Sequence, residues 1–234
     1  MTGRVAVLLR SSAHTDAQFD PKAKKGAVQL HHLVLLASEL ATGNRFQRAL
    51  FDMVLVAFWG MARLAELTYD KAVGNLYSQV SVLTTDVAFE LDGSKTITYV
   101  GIRGAKTSHP ENLPIMLCPI EALKRRIAEA DGAETSLFGI FDHEGERHHI
   151  TKPEACRTLT AIWRKHGHLD LSGHSFRVGG ASFRSAMDTP VEVIQYLGRW
   201  NSDCYKLYLR DYSTKDKLAA ISLWSELKAC WAKA

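Results

Sequence analysis

The chain has 234 residues, 46% hydrophobic and 23% charged, enough to bury a core without disulfides or a metal, and one domain is expected. With 6 prolines and 16 glycines it is neither collagen-like nor mainly disordered, and no apolar run approaches the ~20 residues of a membrane span. The net charge of +4 is compatible with a nucleic-acid partner, and the scattered cysteines (Cys118, Cys156, Cys204, Cys230) suit reduced thiols in an intracellular compartment.

Residues 1–25 read as a flexible basic lead, and Val5 to Leu9 is too short for a secretory core. Helical spacing predicts a helix over Ala27 to Leu40. A second, capped by Asn44, covers Phe46 to Phe58, and Gly60 loosens it before Ala62 to Leu67 continues it or opens the next turn. The pattern then becomes β-branched. Val80 to Leu91 and Ile97 to Ile102 are predicted strands around an Asp92-Gly93 turn, and Leu113 to Leu117 is a third at a sheet edge, where its proline is tolerated. Lys106 falls in the loop between strands two and three. Proline-led helices follow at Ile120 to Ala130 and Glu154 to His166. His143 to His149 reads as a solvated loop. Further helices are expected from His174 to Met187, from Pro190 to Leu197, from Asp203, and from Lys215 to Lys228. The fold class is mainly α with a small three-stranded antiparallel sheet.

There is no glycine-rich phosphate loop, dinucleotide fingerprint, paired-cysteine spacing or HExxH, so neither cofactor nor metal is expected. Arg63 and Glu66 are three apart in an apolar stretch, either a buried bridge or a carboxylate holding a guanidinium toward a ligand. His174 and Arg177 are again three apart, beside glycines 173, 179 and 180 that permit close approach. The segment Leu197 to Arg210 combines Trp200, Tyr205 and Tyr208 with three cations, which fits either a nucleic-acid surface or a packed helix face.

Taken in order, Arg63 in Ala-Arg-Leu-Ala-Glu-Leu, Lys106 in Ala-Lys-Thr-Ser, His174 and Arg177 in Gly-His-Ser-Phe-Arg-Val-Gly-Gly, Trp200 in Leu-Gly-Arg-Trp, and Tyr208 closely resemble the catalytic set of the tyrosine recombinase (phage integrase) family. The wording of the last motifs is most like eukaryotic, fungal-type mobile elements. The resemblance covers residues 26–212 as the catalytic domain. Residues 213–234 would be a C-terminal helix docking in cis or on a neighbouring protomer.

That resemblance implies site-specific DNA cleavage and rejoining through a 3′-phosphotyrosyl link, without metal or ATP. Arg63 and Arg177 would hold the phosphate, with Glu66 supporting. Tyr208 would be the nucleophile, His174 the base or hydrogen-bond donor, Lys106 the acid, and Trp200 an indole donor. The partner would be double-stranded DNA, bound as a possible synaptic tetramer, in the nucleus if the host is eukaryotic. Further phosphate contacts are expected among Lys124, Arg125, Arg126, Arg147, Lys152, Arg157, Arg164, Lys165, Arg184, Arg199, Lys206 and Arg210. Two departures stand out. Trp200 and Tyr208 are eight apart where nine is usual in bacterial and phage members, which brings Tyr205 and Tyr212 into consideration. About 25 residues precede the catalytic part, too few for the family's core-binding domain. A non-catalytic, element-derived DNA-binding protein and a type IB topoisomerase-like enzyme are the competing readings.

Overall fold

The computed structural model describes residues 25–92, 95–101, 112–116 and 119–231. Three helices open it: α1 (Leu30–Leu40), α2 (Arg45–Trp59) and the single turn α3 (Leu64–Leu67). A 3₁₀ turn (Thr84–Asp86) leads into strands β1 (Val87–Asp92), β2 (Lys95–Gly101) and β3 (Asn112–Met116). Next come α4 (Pro119–Ala130), β4 (Gly139–Phe141), β5 (Arg147–His149) and α5 (Lys152–Lys165). The last elements are α6 (Ser175–Ala186), α7 (Val191–Gly198), a 3₁₀ helix (Asp203–Tyr208) and α8 (Thr214–Trp231).

Helix α2 is the hub. Asn44 accepts from the Gln47 N–H while Gln47 accepts from the Asn44 N–H, both at 2.9 Å, a reciprocal cap that fixes its start. From Ala49 to Trp59 nearly every side chain is buried, so this part of the helix has no solvent face and other elements pack around it. Burying each of Leu50, Met53 and Phe58 contributes roughly 1.5–3 kcal/mol. Its one buried carboxylate, Asp52, is answered by Arg125 and Arg126 of α4.

Helix α6 lies against this hub through backbone contact. A Cβ on Gly180 would sit 2.1 Å from the Phe58 carbonyl oxygen, and one on Gly179 would sit 2.0 Å from that of Val28. These glycines are required by close approach. Helix α8 returns to the same core, its Trp224 ring 5.0 Å from Trp59 and 5.6 Å from Phe183.

The three strands form an antiparallel meander, running from Val87↔Val100 to Asp92↔Lys95 and from Ile97↔Met116 to Gly101↔Asn112. Pro114, opposite Tyr99, sits on the edge strand β3, the position in a sheet where a missing N–H is tolerated. The sheet rests on α4 and α2, with Val100 fully buried.

One local expectation is corrected and two are narrowed. The first strand begins at Val87, not Val80, because Asp86 accepts from the Leu83 N–H at 2.9 Å and closes a turn. Of the two continuations expected after Gly60, the structure has the new turn: Met61 takes φ 45° and interrupts the helix, so α3 starts afresh after Arg63. The solvated loop expected over His143 to His149 is limited to the exposed turn at residues 143–146, since Arg147 to His149 form β5, paired with β4 as a hairpin. Within it Arg147 donates to Glu129 at 2.5 Å and to the Ser136 carbonyl at 2.8 Å, and His149 contacts Ser136 Oγ at 2.8 Å.

Candidate active site

Two strained turns frame the site. Met61 after α2 and Arg199 after α7 both adopt left-handed backbone, φ 45° and 56°, a conformation that costs a non-glycine residue about 1–2 kcal/mol. Arg177 bridges the carbonyls beside them. Its Nη1 donates to Met61 at 2.5 Å and its Nη2 to Gly198 at 2.6 Å. Two of its five N–H donors are thereby used, and the plane of the fork is fixed. The Trp200 ring lies 4.4 Å and the Tyr208 ring 5.2 Å from the guanidinium carbon. Only 1% of Arg177 is exposed, and burial together with the Arg63 charge pushes it down to about 10. Its Nε has no partner among the described residues, so a donor is kept in reserve.

Arg63 stands at the start of α3, where its own N–H and its Nη1 both donate to Glu66 at 2.7 Å. The pair is asymmetric: the Glu66 side chain is 9% exposed and that of Arg63 is 29%. Glu66 is thus a buried anchor, and the guanidinium it holds is open to the pocket. Burial opposes the charge on Arg63, but Glu66 and the Tyr208 phenol outweigh it and raise the guanidinium above its ordinary value. Burial likewise opposes ionisation of Glu66, yet Arg199 and Arg63 hold that carboxyl below the usual range.

His174 caps α6 at the mouth of the pocket, its ring 5.2 Å from that of Tyr208. Desolvation, then the charges of Arg177, Arg63 and Arg210, lower its pKa and favour the neutral imidazole. Trp200 packs against Tyr208 with ring centroids 4.9 Å apart, and its buried indole N–H has no acceptor among the described residues.

The three tyrosines separate cleanly. Tyr208 is half-buried and faces Arg63, Arg177, His174 and Trp200. Tyr205, one 3₁₀ turn earlier, is buried in a small cluster with Met61, Ala181, Ile194, Leu197 and Trp200. Tyr212 packs on the main core, its hydroxyl buried and its pKa raised by burial. Ser182, which the sequence did not single out, pins the chain beside Tyr208: its hydroxyl accepts from the Arg210 N–H at 2.8 Å, and its one proton lies between the Val178 carbonyl at 2.8 Å and the Tyr208 carbonyl at 3.2 Å. A serine four residues after Val178 on one helix face was the only signal for it.

Lys106 lies outside the described residues, between the paired ends Gly101 of β2 and Asn112 of β3. The other cations divide. Arg126, Arg147, Arg184 and Arg199, expected at phosphates, are all buried, with partners inside the protein. Arg126 pairs with Asp52, Arg147 with Glu129, and Arg199 donates to Glu66 at 2.7 Å. Arg184 donates to the carbonyls of Gly180 and Trp59, and burial pushes it down to about 10. Lys124, Arg125, Lys165 and Lys206 are exposed but hold ion pairs with Glu121, Asp52, Glu39 and Asp203. Lys152, Arg157 and Arg164 are exposed, and Arg210 is half-buried, donating to the Lys25, Leu207 and Leu209 carbonyls.

No family model matches the chain, and no curated protein matches it in sequence. Solved structures match its fold. The XerH site-specific recombinase bound to difH substrate has a TM-score of 0.53 at 14% identity, covering 88% of this chain and 56% of that one. The Tn1549 transposon integrase in complex with circular intermediate DNA gives 0.51 at 14% identity, covering 87% and 66%. XerA recombinase gives 0.50 at 14% identity, covering 88% and 66%. The chain therefore spans between 56% and 66% of the length of these three matches, and none of them supports a eukaryotic, fungal-type origin. What the likeness establishes is the architecture: a mainly helical, tyrosine recombinase-like fold.

Proposed function

We propose that the chain cleaves and rejoins DNA strands at specific sites through a 3′-phosphotyrosyl intermediate on Tyr208. The observation that carries this reading is the convergence of the Tyr208 phenol with Arg63, Arg177, His174 and Trp200 in one pocket. A phosphodiester under attack gathers charge on its non-bridging oxygens, and fixed guanidinium forks are suited to hold it. Arg63 offers an open fork, and Arg177 keeps three donors beyond the two spent on main-chain carbonyls.

A phenol with an unperturbed pKa of ~10 is a weak nucleophile at neutral pH. Arg63 lies beside it, and the neutral imidazole of His174 is a fitting acceptor for its proton. The phenolate oxygen then bonds to phosphorus while the 5′-oxygen leaves, taking a proton from Lys106. Reversal by another strand's 5′-hydroxyl restores the phosphodiester and frees the tyrosine, so no nucleotide is consumed. Exposed Lys152, Arg157 and Arg164 would contribute phosphate contacts on double-stranded DNA. Assembly into a synaptic tetramer and kinship to fungal-type elements belong to the same proposal and rest on the motif resemblance.

The test is covalent trapping on nicked suicide duplexes drawn from a pool selected by binding to this chain. A denaturation-resistant protein–DNA band in the parent, absent in Tyr208→Phe with the mobility shift retained, supports the proposal. A shift with no covalent band in the parent favours a binding protein. Relaxation of supercoiled plasmid with little sequence preference favours a topoisomerase.

A further inference from the structure

The far end of α2 carries a second cationic feature. The helix has 15 residues, so its first turn lies roughly 22 Å from the turn that bears Arg63. Arg45 and Arg48 stand in its opening residues, and the first turn holds no acidic side chain. That is the reverse of what the helix dipole favours, because cations at a helix N-terminus are repelled by it. Two adjoining hollows, of about 300 and 600 Å³, open here and share Arg48 and Arg126 as walls. Arg45, Arg48, Arg125 and Arg126 line them, against two carboxylates among the described residues, Asp52 and Glu129. Of these carboxylates, Glu129 is already taken by Arg147 at 2.5 Å. Asp52 pairs with both Arg125 and Arg126.

The guanidiniums are held in place but not satisfied. Arg45 is anchored by donating to the Phe141 carbonyl at 3.0 Å. Arg48 is exposed and makes no ion pair among the described residues. Arg126 is 6% exposed, and its Nη1 has no partner among those residues, while its Nε lies 2.7 Å from Asp52 without hydrogen-bond alignment. Buried donors left unpaired are costly, and such groups call for a ligand or an ion. Phe51, Ile140 and Phe141 supply an apolar wall.

We infer that this groove binds the phosphate or diphosphate group of a ligand. A single carboxylate accepts one fork, whereas a diphosphate offers acceptors to several guanidiniums and also complements the positive end of α2. The phosphate belongs either to a free small molecule, for which hollows of this size suffice, or to a DNA backbone outside the tyrosine pocket. The inference stands apart from the recombinase reading, since it uses none of the residues around Tyr208.

The test is calorimetric titration of the full chain with pyrophosphate at constant ionic strength, alongside thermal melting, for the parent, Arg48→Gln and Arg45→Gln/Arg48→Gln. The parent is expected to show saturable binding, weakened about tenfold or more in Arg48→Gln for the loss of one charged hydrogen-bond partner. Without ligand Arg48→Gln should melt at or slightly above the parent, because a cation leaves the helix N-terminus; with pyrophosphate it should melt below it. Absence of saturable binding to the parent, or equal binding by the double variant, would overturn the inference. Duplex mobility shifts then assign the source: affinity lost in Arg48→Gln points to DNA phosphates, and affinity retained points to a free phosphate ligand.

Discussion

Replacing Arg199 with methionine should separate the support of Arg63 from the chemistry assigned to it. Methionine keeps much of the apolar stem and removes the charge. Arg199 Nη2 lies 2.7 Å from Glu66 Oε2, between side chains 4% and 9% exposed. Removing one member of a buried ion pair typically costs ~3–5 kcal/mol. Glu66 would still keep the Arg63 guanidinium and N–H, so the loss should fall nearer ~2–3 kcal/mol, the range of one charged hydrogen bond. The sign with pH follows from the depressed Glu66 carboxyl. Its stabilising contribution is present above the unfolded value of ~4.3 and disappears as pH falls through the lower folded value. Without Arg199 the folded value rises, so the carboxylate contribution begins to fade at a higher pH, and the gap between variant and parent closes once Glu66 is protonated in both. Urea unfolding at pH 7 and again below pH ~4 measures this gap. Covalent trapping should slow more than duplex affinity falls, because Arg63 loses its anchor's second support. A gap under ~0.5 kcal/mol at pH 7, or one of equal size at both pH values, would reduce Arg199 to a packing residue and refute the reasoning.

Gly180→Ala should destabilise the chain by about 1–3 kcal/mol or more in urea unfolding, because its Cβ would meet the Phe58 carbonyl at 2.1 Å. Trapping rates should stay flat below the ordinary imidazole value of ~6.5 and fall only at lower pH, since His174 is held neutral by burial and the neighbouring arginines. A break at or above that value would contradict this role. Arg177→Lys should slow trapping by about 10²–10³-fold while duplex affinity changes little, a split that general phosphate contacts would not give. Lysine presents no planar fork to bridge the carbonyls of Met61 and Gly198.

Much of the scaffold was legible because its signals are local. The cap Asn44 and the apolar run behind it mark α2, and the switch to β-branched residues marks the meander that brackets position 106. Gly179 and Gly180 announced a close approach without saying to what. The illegible parts depend on distant partners. A surface cation and a buried one look alike in sequence when the deciding carboxylate is 133 residues away, as it is for Arg199 and Glu66. The same holds for Arg147, whose burial depends on Glu129 and Ser136, and so the hairpin around it read as a loop. Gly60 announced a loosening of α2, but the left-handed residue itself is Met61, whose type gives no sign of it. The eight-residue spacing from Trp200 to Tyr208 became interpretable only with the 3₁₀ helix Asp203–Tyr208, which buries Tyr205 and leaves Tyr208 in the pocket.

Peptide mapping of the trapped protein–DNA adduct tests the central claim most directly. The account predicts a phosphotyrosyl link on the peptide containing Tyr208, its loss in Tyr208→Phe, and its persistence in Tyr205→Phe and Tyr212→Phe. An adduct on Tyr205 or Tyr212, or none at any tyrosine on a verified site with duplex binding intact, would contradict it.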